Sequence, residues 1–182
     1  MTDHNQYPGQ SIPVDGAFEV FEGNRENLIT LTRNGELLQV GDQLPPIPGI
    51  NPDGVPFILH TVNAFGTPTC DRCTDMLEAF HRDHPDVPIY SLTKQEPEQM
   101  RTENEDESPI THDRIQIDQN TAIDLGVELA PGEGADTEFW PTALRRTVAV
   151  IGGDGRILHI EQPDDQEQFP NFDALYDAVL AA

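Results

Sequence analysis

The sequence is poor in three things that many proteins of its length contain: lysine, cysteine and long hydrophobic runs. Lys94 is the single lysine, and 33 acidic residues stand against 10 lysines and arginines, which gives a formal charge of -23. This charge argues against nucleic acid or an anionic membrane surface as a partner, because both are polyanions. An acidic surface with almost no lysine is typical of a high-salt cytoplasm, although an acidic protein from a GC-rich genome would look the same.

The lack of long hydrophobic runs bears on location and size. No apolar run approaches the roughly 18 residues that a membrane helix needs, and residues 1–6 lack the basic and apolar regions of a signal peptide. We therefore expect a soluble, cytoplasmic protein. A length of 182 residues suffices for one domain with a hydrophobic core. We assign residues 17–182 to that domain and residues 1–16, which contain prolines and glycines, to a flexible N-terminal arm.

Both cysteines lie in one short motif, Cys70-Asp71-Arg72-Cys73. A hydrophobic run that predicts a strand at 57–62 ends shortly before it, and the pattern that follows predicts an amphipathic helix at 70–81. A structural zinc site normally needs four ligands, so a lone Cys-x-x-Cys in a chain of this length indicates redox chemistry. Cys70 would lie in the first helical turn, where unpaired backbone N–H groups and the helix dipole favour a thiolate.

The rest of the pattern predicts a single α/β domain. Alternating apolar residues predict an N-terminal β-hairpin extension from segments 18–21, 28–32 and 37–40. The other expected elements are strands at 89–92, 115–117, 147–151 and 157–160 and helices at 97–105, 120–126 and 172–181. This order predicts a thioredoxin-like fold, in which helices flank a central mixed sheet.

Three residues outside the motif are candidate partners of the Cys70 sulfur. Thr67 would either place its hydroxyl beside the sulfur or cap the helix. Arg145 and Arg146 directly precede the strongest hydrophobic strand, which is a costly place for charge without a partner. In a thioredoxin-like sheet this strand neighbours the one that leads to Cys70. We therefore expect Arg146 to reach the sulfur and stabilise its thiolate, the alternative being a surface ion pair.

These residues resemble the peroxiredoxins, and among them the atypical two-cysteine thiol peroxidases. Thr67-x-x-Cys70 matches the peroxidatic motif of that family, and the run that begins at Arg146 resembles its arginine-led strand. The resemblance implies that Cys70 attacks hydrogen peroxide or an organic hydroperoxide, while Thr67 and Arg146 orient the substrate. It also implies that no metal or organic cofactor takes part, that a thioredoxin-type protein is the reductant, and that the chain forms a homodimer.

The sequence departs from the family pattern at two places. Asn63 stands where the family has a proline, four residues before Thr67, and no cysteine lies near residues 101–103, where the usual resolving cysteine is found. Within the resemblance, Cys73 is then the candidate resolving cysteine, which forms an intramolecular disulfide with Cys70. A bridge between residues three apart requires only local unwinding of the first helical turn. The plainer interpretation of Cys73 is a small buried apolar residue.

The first rival interpretation is a thioredoxin-like dithiol–disulfide oxidoreductase that uses Cys70 and Cys73 directly. Against it, Asp71-Arg72 replaces the usual Gly-Pro between the cysteines. An arginine, rather than a proline, also precedes the strand that faces the motif.

The second rival is a metal-binding protein. The two cysteines together with His60, His81 or His84 would make an acceptable zinc set. Solvent-facing histidines on a polar helix explain the same residues without a metal.

Overall fold

A five-stranded mixed sheet organises the described part of the chain. The computed structural model describes residues 4–7, 10–13, 28–131, 143–164 and 168–182. The strands are β1 (His4–Tyr7), β2 (Gln10–Pro13), β3 (Leu28–Leu31), β4 (Phe57–Thr61), β5 (Ile89–Thr93), β6 (Asp113–Gln116), β7 (Glu128–Pro131), β8 (Thr147–Ile151) and β9 (Ile157–Glu161). The helices in these ranges are α1 (Pro68–Asp83), α2 (Gln119–Asp124) and α3 (Phe172–Leu180), and Pro97–Gln99 forms a 3-10 turn.

The main sheet has the strand order β6-β5-β4-β8-β9. β4, β5 and β6 run parallel, whereas β8 is antiparallel to both β4 and β9. The predicted central mixed sheet is thereby confirmed. Because Thr61 of β4 pairs with Thr147 of β8, the residues that follow β4 and precede β8 meet at one end of the sheet.

Each face of the sheet carries a hydrophobic core, because successive strand residues point to opposite faces. Ile58 of β4 belongs to the core that includes Leu77 of α1 and Leu175 of α3. Phe57 and Leu59 belong to the opposite core, which also contains Ala122 of α2. β4 is buried along its whole length, including the polar residues His60 and Thr61.

α1 begins shortly after β4 ends and carries both cysteines. Thr67 is extended at the N-cap, and Pro68 occupies the first turn, where the N–H that proline lacks has no helical partner. Leu77 and Phe80 bury one face of the helix, and the Phe80 ring stacks on Tyr176 of α3 with centroids 4.2 Å apart. The helix predicted at 70–81 is confirmed and is two residues longer at each end.

Most of the other predicted elements are also confirmed, with boundaries that differ by no more than two residues. They are β5, β6, β8, β9, α2 and α3. Within the described ranges, no helix is both long enough and apolar enough to cross a membrane.

The helix predicted at 97–105 is wrong, because only Pro97–Gln99 is helical and that turn is of the 3-10 type. Beyond Met100 the chain continues as turns, in which the Ser108 N–H donates to the Asn104 carbonyl at 2.8 Å. This segment is rich in Thr, Asn, Asp and Ser, whose side chains compete with the helix for backbone hydrogen bonds.

The predicted N-terminal hairpin extension differs in its pairing. β3 pairs antiparallel with the distant β7, and residues 37–40 form no strand. The backbone that follows bonds instead to β9, where the Gly41 N–H donates to the Ile157 carbonyl at 2.8 Å. Segment 18–21 lies outside the described residues. Within the predicted arm, β1 and β2 form a two-stranded antiparallel sheet, and the domain boundary at residue 17 stays a prediction.

Candidate active site

The Cys70 sulfur lies buried in the first turn of α1 between two hydrogen-bond donors. Arg146 Nη2 donates to the sulfur at 3.2 Å, and the backbone N–H of Ala64 donates to it at 3.4 Å. The residue is 1% exposed, and its apolar neighbours are Val62, Phe65 and Met100. A guanidinium and an N–H aimed at a sulfur favour a negative charge on that atom.

The two adjacent arginines have different surroundings. Arg146 is 1% exposed and reaches Cys70 from the start of β8, as the sheet order predicts. Arg145 points elsewhere, where its Nη2 donates to the Gln162 carbonyl at 3.1 Å and to Asp164 Oδ1 at 3.2 Å. The structure therefore brings Arg146, and not Arg145, to the sulfur.

Thr67 contacts the loop before the helix and not the sulfur. Its Oγ1 donates to the Ala64 carbonyl at 2.8 Å, and the side chain makes no helix-capping hydrogen bond. The hydroxyl thus fixes the peptide unit next to the N–H that faces Cys70. A role of Thr67 toward substrate stays a prediction.

Asn63 replaces the expected proline with a buried hydrogen bond. Its Nδ2 donates to the Leu144 carbonyl at 2.7 Å, which ties the end of β4 to the segment before β8. The amide therefore holds together the two chain segments that supply Ala64 and Arg146.

Cys73 has very different surroundings from Cys70. It is 0% exposed and belongs to the hydrophobic core with Ile58, Leu77 and Val148. Burial raises the pKa of the Cys73 thiol to about 12, although Arg146 acts in the opposite direction. Both cysteines are free thiols in this structure. The site therefore holds one sulfur beside donors and one within apolar surroundings.

Three consecutive backbone N–H groups shape the loop before α1, and two of them have partners that the sequence analysis missed. The first, on Ala64, faces the Cys70 sulfur. The next, on Phe65, donates to Gln95 Oε1 at 2.7 Å, and the third, on Gly66, donates to Asp71 Oδ1 at 2.9 Å. Gln95 follows β5, the parallel neighbour of β4, so its position at the carboxyl end of the sheet is the signal that would have found it.

A chain of buried polar groups runs beneath α1 beside this site. His60 Nδ1 lies 3.2 Å from Ser91 Oγ, which lies 3.0 Å from His112 Nε2, and His112 Nδ1 lies 2.8 Å from Glu78 Oε2. Burial, and then the charge of Arg146, lower the pKa of His60 to about 3. Burial alone would raise the pKa of Glu78, but hydrogen bonds from Thr111 and His112 outweigh it and lower the value to about 2.

The histidines considered as metal ligands have other neighbours. His60 contacts Ser91, His81 Nδ1 lies 3.2 Å from the Val87 carbonyl, and the His84 ring packs on Phe80. In the part of the chain that the structure describes, no three His, Cys, Asp or Glu residues are grouped so that they would hold a metal ion.

Comparison with known proteins identifies the fold. No protein-family model and no curated protein sequence matches the chain. Among solved structures, a peroxiredoxin-like protein from Aquifex aeolicus is 18% identical, with a TM-score of 0.66 over 81% of this chain and 89% of that one. A thiol peroxidase from Chromobacterium violaceum is 11% identical, with a TM-score of 0.65 over 85% and 91%. A peroxidoxin from Mycobacterium tuberculosis is 14% identical, with a TM-score of 0.61 over 79% and 97%.

These matches extend over most of each chain and agree with the five-stranded mixed sheet. The chain therefore has the peroxiredoxin fold, a member of the thioredoxin-like class. The predicted fold class is confirmed.

Proposed function

We propose that this protein is a thiol peroxidase that reduces hydrogen peroxide or an organic hydroperoxide, with Cys70 as the attacking residue. The observation that carries the proposal is the Cys70 sulfur held by Arg146 and the Ala64 N–H at a helix start. Two solved structures with the same fold, one named a thiol peroxidase and the other a peroxidoxin, support the proposal.

The first step is attack of the Cys70 thiolate on a peroxide oxygen. The S–O bond forms as the O–O bond breaks, which leaves Cys70 sulfenic acid and water or an alcohol once the leaving oxygen is protonated. The Arg146 guanidinium would stabilise the charge that develops on the oxygens. Thr67, which lies three residues before Cys70 and whose hydroxyl donates to the Ala64 carbonyl, would orient the substrate.

The second step joins the two cysteines. The Cys73 sulfur attacks the Cys70 sulfenic sulfur, the S–O bond breaks, and the thiol proton leaves with the hydroxide as water. Because Cys73 lies in the core, this step requires the first turn of α1 to unwind. A thioredoxin-type dithiol protein would then reduce the disulfide.

Peroxide consumption by variants tests the proposal. We expect Cys70→Ser to abolish turnover with a thioredoxin system, whereas Cys73→Ser should retain a single stoichiometric reaction with peroxide. Mass spectrometry after one equivalent of peroxide should detect an internal disulfide in the wild type and Cys70 sulfenic acid in Cys73→Ser. Undiminished peroxidase activity of Cys70→Ser would refute the assignment.

A dithiol–disulfide oxidoreductase is the second candidate, and the Cys70-x-x-Cys73 spacing at a helix start favours it. The two functions separate in one experiment with a single donor system. A protein of the second kind would reduce insulin disulfides rapidly and consume peroxide slowly.

A further inference from the structure

The carboxylate of Asp71, between the two cysteines, joins three parts of the chain. Asp71 is 6% exposed. Its Oδ1 accepts the Gly66 N–H at 2.9 Å, and its Oδ2 accepts the Glu103 N–H at 2.9 Å. The side chain thereby connects the first turns of α1 to the loop before the helix and to the turn segment at 101–108.

This connection joins two of the segments that surround the Cys70 sulfur. Gly66 ends the loop whose Ala64 N–H faces the sulfur, and segment 101–108 follows Met100, which is buried against Cys70. Asp71 therefore fixes both the donor side and the apolar side of the sulfur's surroundings.

The same contacts oppose disulfide formation. To meet Cys73, the Cys70 sulfur must leave its donors, and the helical turn held by the hydrogen bond from the Asp71 N–H to the Thr67 carbonyl (2.8 Å) must open. Asp71 moves with that turn, so its two side-chain hydrogen bonds must break or rearrange. Burial raises the pKa of Asp71 to about 7, although both hydrogen bonds lower it.

We propose that Asp71 is a positioning residue, which holds the Cys70 sulfur beside its hydrogen-bond donors and slows formation of the disulfide with Cys73. Disulfide formation in turn releases segment 101–108 from α1. The reaction that Asp71 limits is the second step above, in which the S–S bond forms and water leaves. The effect of Asp71 on the rate of disulfide formation rests on the proposed function, whereas the release of segment 101–108 rests on the two hydrogen bonds of Asp71.

Asp71→Asn tests the inference, because the amide replaces one acceptor oxygen with an NH2 group that cannot accept an N–H. Glu105→Gln is the matched control. Its carboxylate anchors the same segment through Arg114 Nη1 at 2.8 Å and the Thr102 N–H at 3.3 Å, but has no bond to α1.

After one equivalent of peroxide, rapid quenching and mass spectrometry follow sulfenic acid and disulfide separately. We expect Asp71→Asn to form the disulfide at least threefold faster from the sulfenic acid than the wild type does, and to accumulate less sulfinic acid under excess peroxide. Glu105→Gln should match the wild type in both. An unchanged or slower resolution step in Asp71→Asn would overturn the role in timing.

Hydrogen exchange of the Glu103 amide gives a readout that does not depend on activity. In the wild type this amide should be protected in the reduced protein and exchange at least tenfold faster after oxidation to the disulfide, whereas in Asp71→Ala, which removes both acceptor oxygens, it should exchange rapidly in both states. Equal protection of reduced and oxidised wild type would overturn the release of segment 101–108.

Oxidation by diamide separates this inference from the peroxidase assignment, because diamide takes two electrons from the two thiols and becomes the corresponding hydrazine. A protein that does not consume peroxide but loses Glu103 protection with diamide would refute the proposed function and support the release. A protein that consumes peroxide but keeps the Glu103 amide protected after diamide treatment would support the proposed function and refute the release of segment 101–108.

Discussion

Acidification should destabilise the protein through the buried imidazole of His60. This side chain is 0% exposed, and its pKa is lowered to about 3 by burial and by the charge of Arg146. In the unfolded chain a histidine titrates at about 6.5. Between these two values the unfolded state binds a proton that the folded state excludes, so the free energy of unfolding falls as the pH falls.

The size of the effect follows from the pH interval. Each pH unit below 6.5 removes about 1.4 kcal/mol until the folded-state pKa is reached, so the loss at pH 4.5 is about 3 kcal/mol. His112, whose pKa is also lowered by burial, adds to the loss. Asp71, whose pKa is raised by burial, opposes it, because its folded form binds a proton more readily than the unfolded chain does.

Urea unfolding at pH 7.5 and 4.5 isolates His60 from the other groups by comparing the wild type with His60→Gln. The variant cannot titrate, so its loss of stability on acidification should be smaller than that of the wild type by about 3 kcal/mol. An identical pH dependence in His60→Gln and the wild type would refute the reasoning.

Three further substitutions test the site and its support. Arg146→Lys should lower kcat/KM for peroxide about tenfold or more, because an ammonium lacks the guanidinium fork. Arg145→Lys is the control and should leave kcat/KM unchanged. An equal loss of kcat/KM in the two variants would contradict the specific role of Arg146. Lys94→Met leaves Glu128 buried without its partner and should reduce stability by about 3 kcal/mol in urea unfolding, and a loss near zero would be inconsistent with that ion pair. Gln95→Leu removes the acceptor of a buried N–H and should slow peroxide reduction in stopped-flow assays, with wild-type rates as the contrary result.

The parts of the fold that were predictable are those in which local sequence and final environment agree. Residues 57–59 and 148–151 are hydrophobic runs, and they lie in the fully buried strands β4 and β8. The pairing of β3 with β7 was not predictable, because about 100 residues separate the two strands and nothing in either sequence identifies the other as its partner. The segment 97–105, which was predicted to be a helix, forms turns instead, and its Glu103 N–H donates to Asp71 of α1.

The residues of the candidate site also include some that the sequence predicts and some that it does not. Cys70 and Arg146 were predictable because the motif marks a helix start and the strand order of the fold class brings β8 beside β4. Gln95 was missed although its position after β5 was a usable signal, whereas Asp71 was missed because its role depends on which backbone N–H groups lie nearby. Periodicity and composition contain no information about such contacts, so a carboxylate between two cysteines looks like any exposed helix residue until the surrounding loops are known.

The order of events at the two sulfurs follows from their surroundings. Negative charge is stabilised at Cys70 by a guanidinium and a backbone N–H, whereas at Cys73 the aliphatic core disfavours charge. In the cycle proposed above, Cys70 is therefore the sulfur that would attack the external substrate first, and Cys73 would react only after the first helical turn opens. The contact between Arg146 and Cys70 is therefore the feature of this site on which the proposed peroxidase function depends.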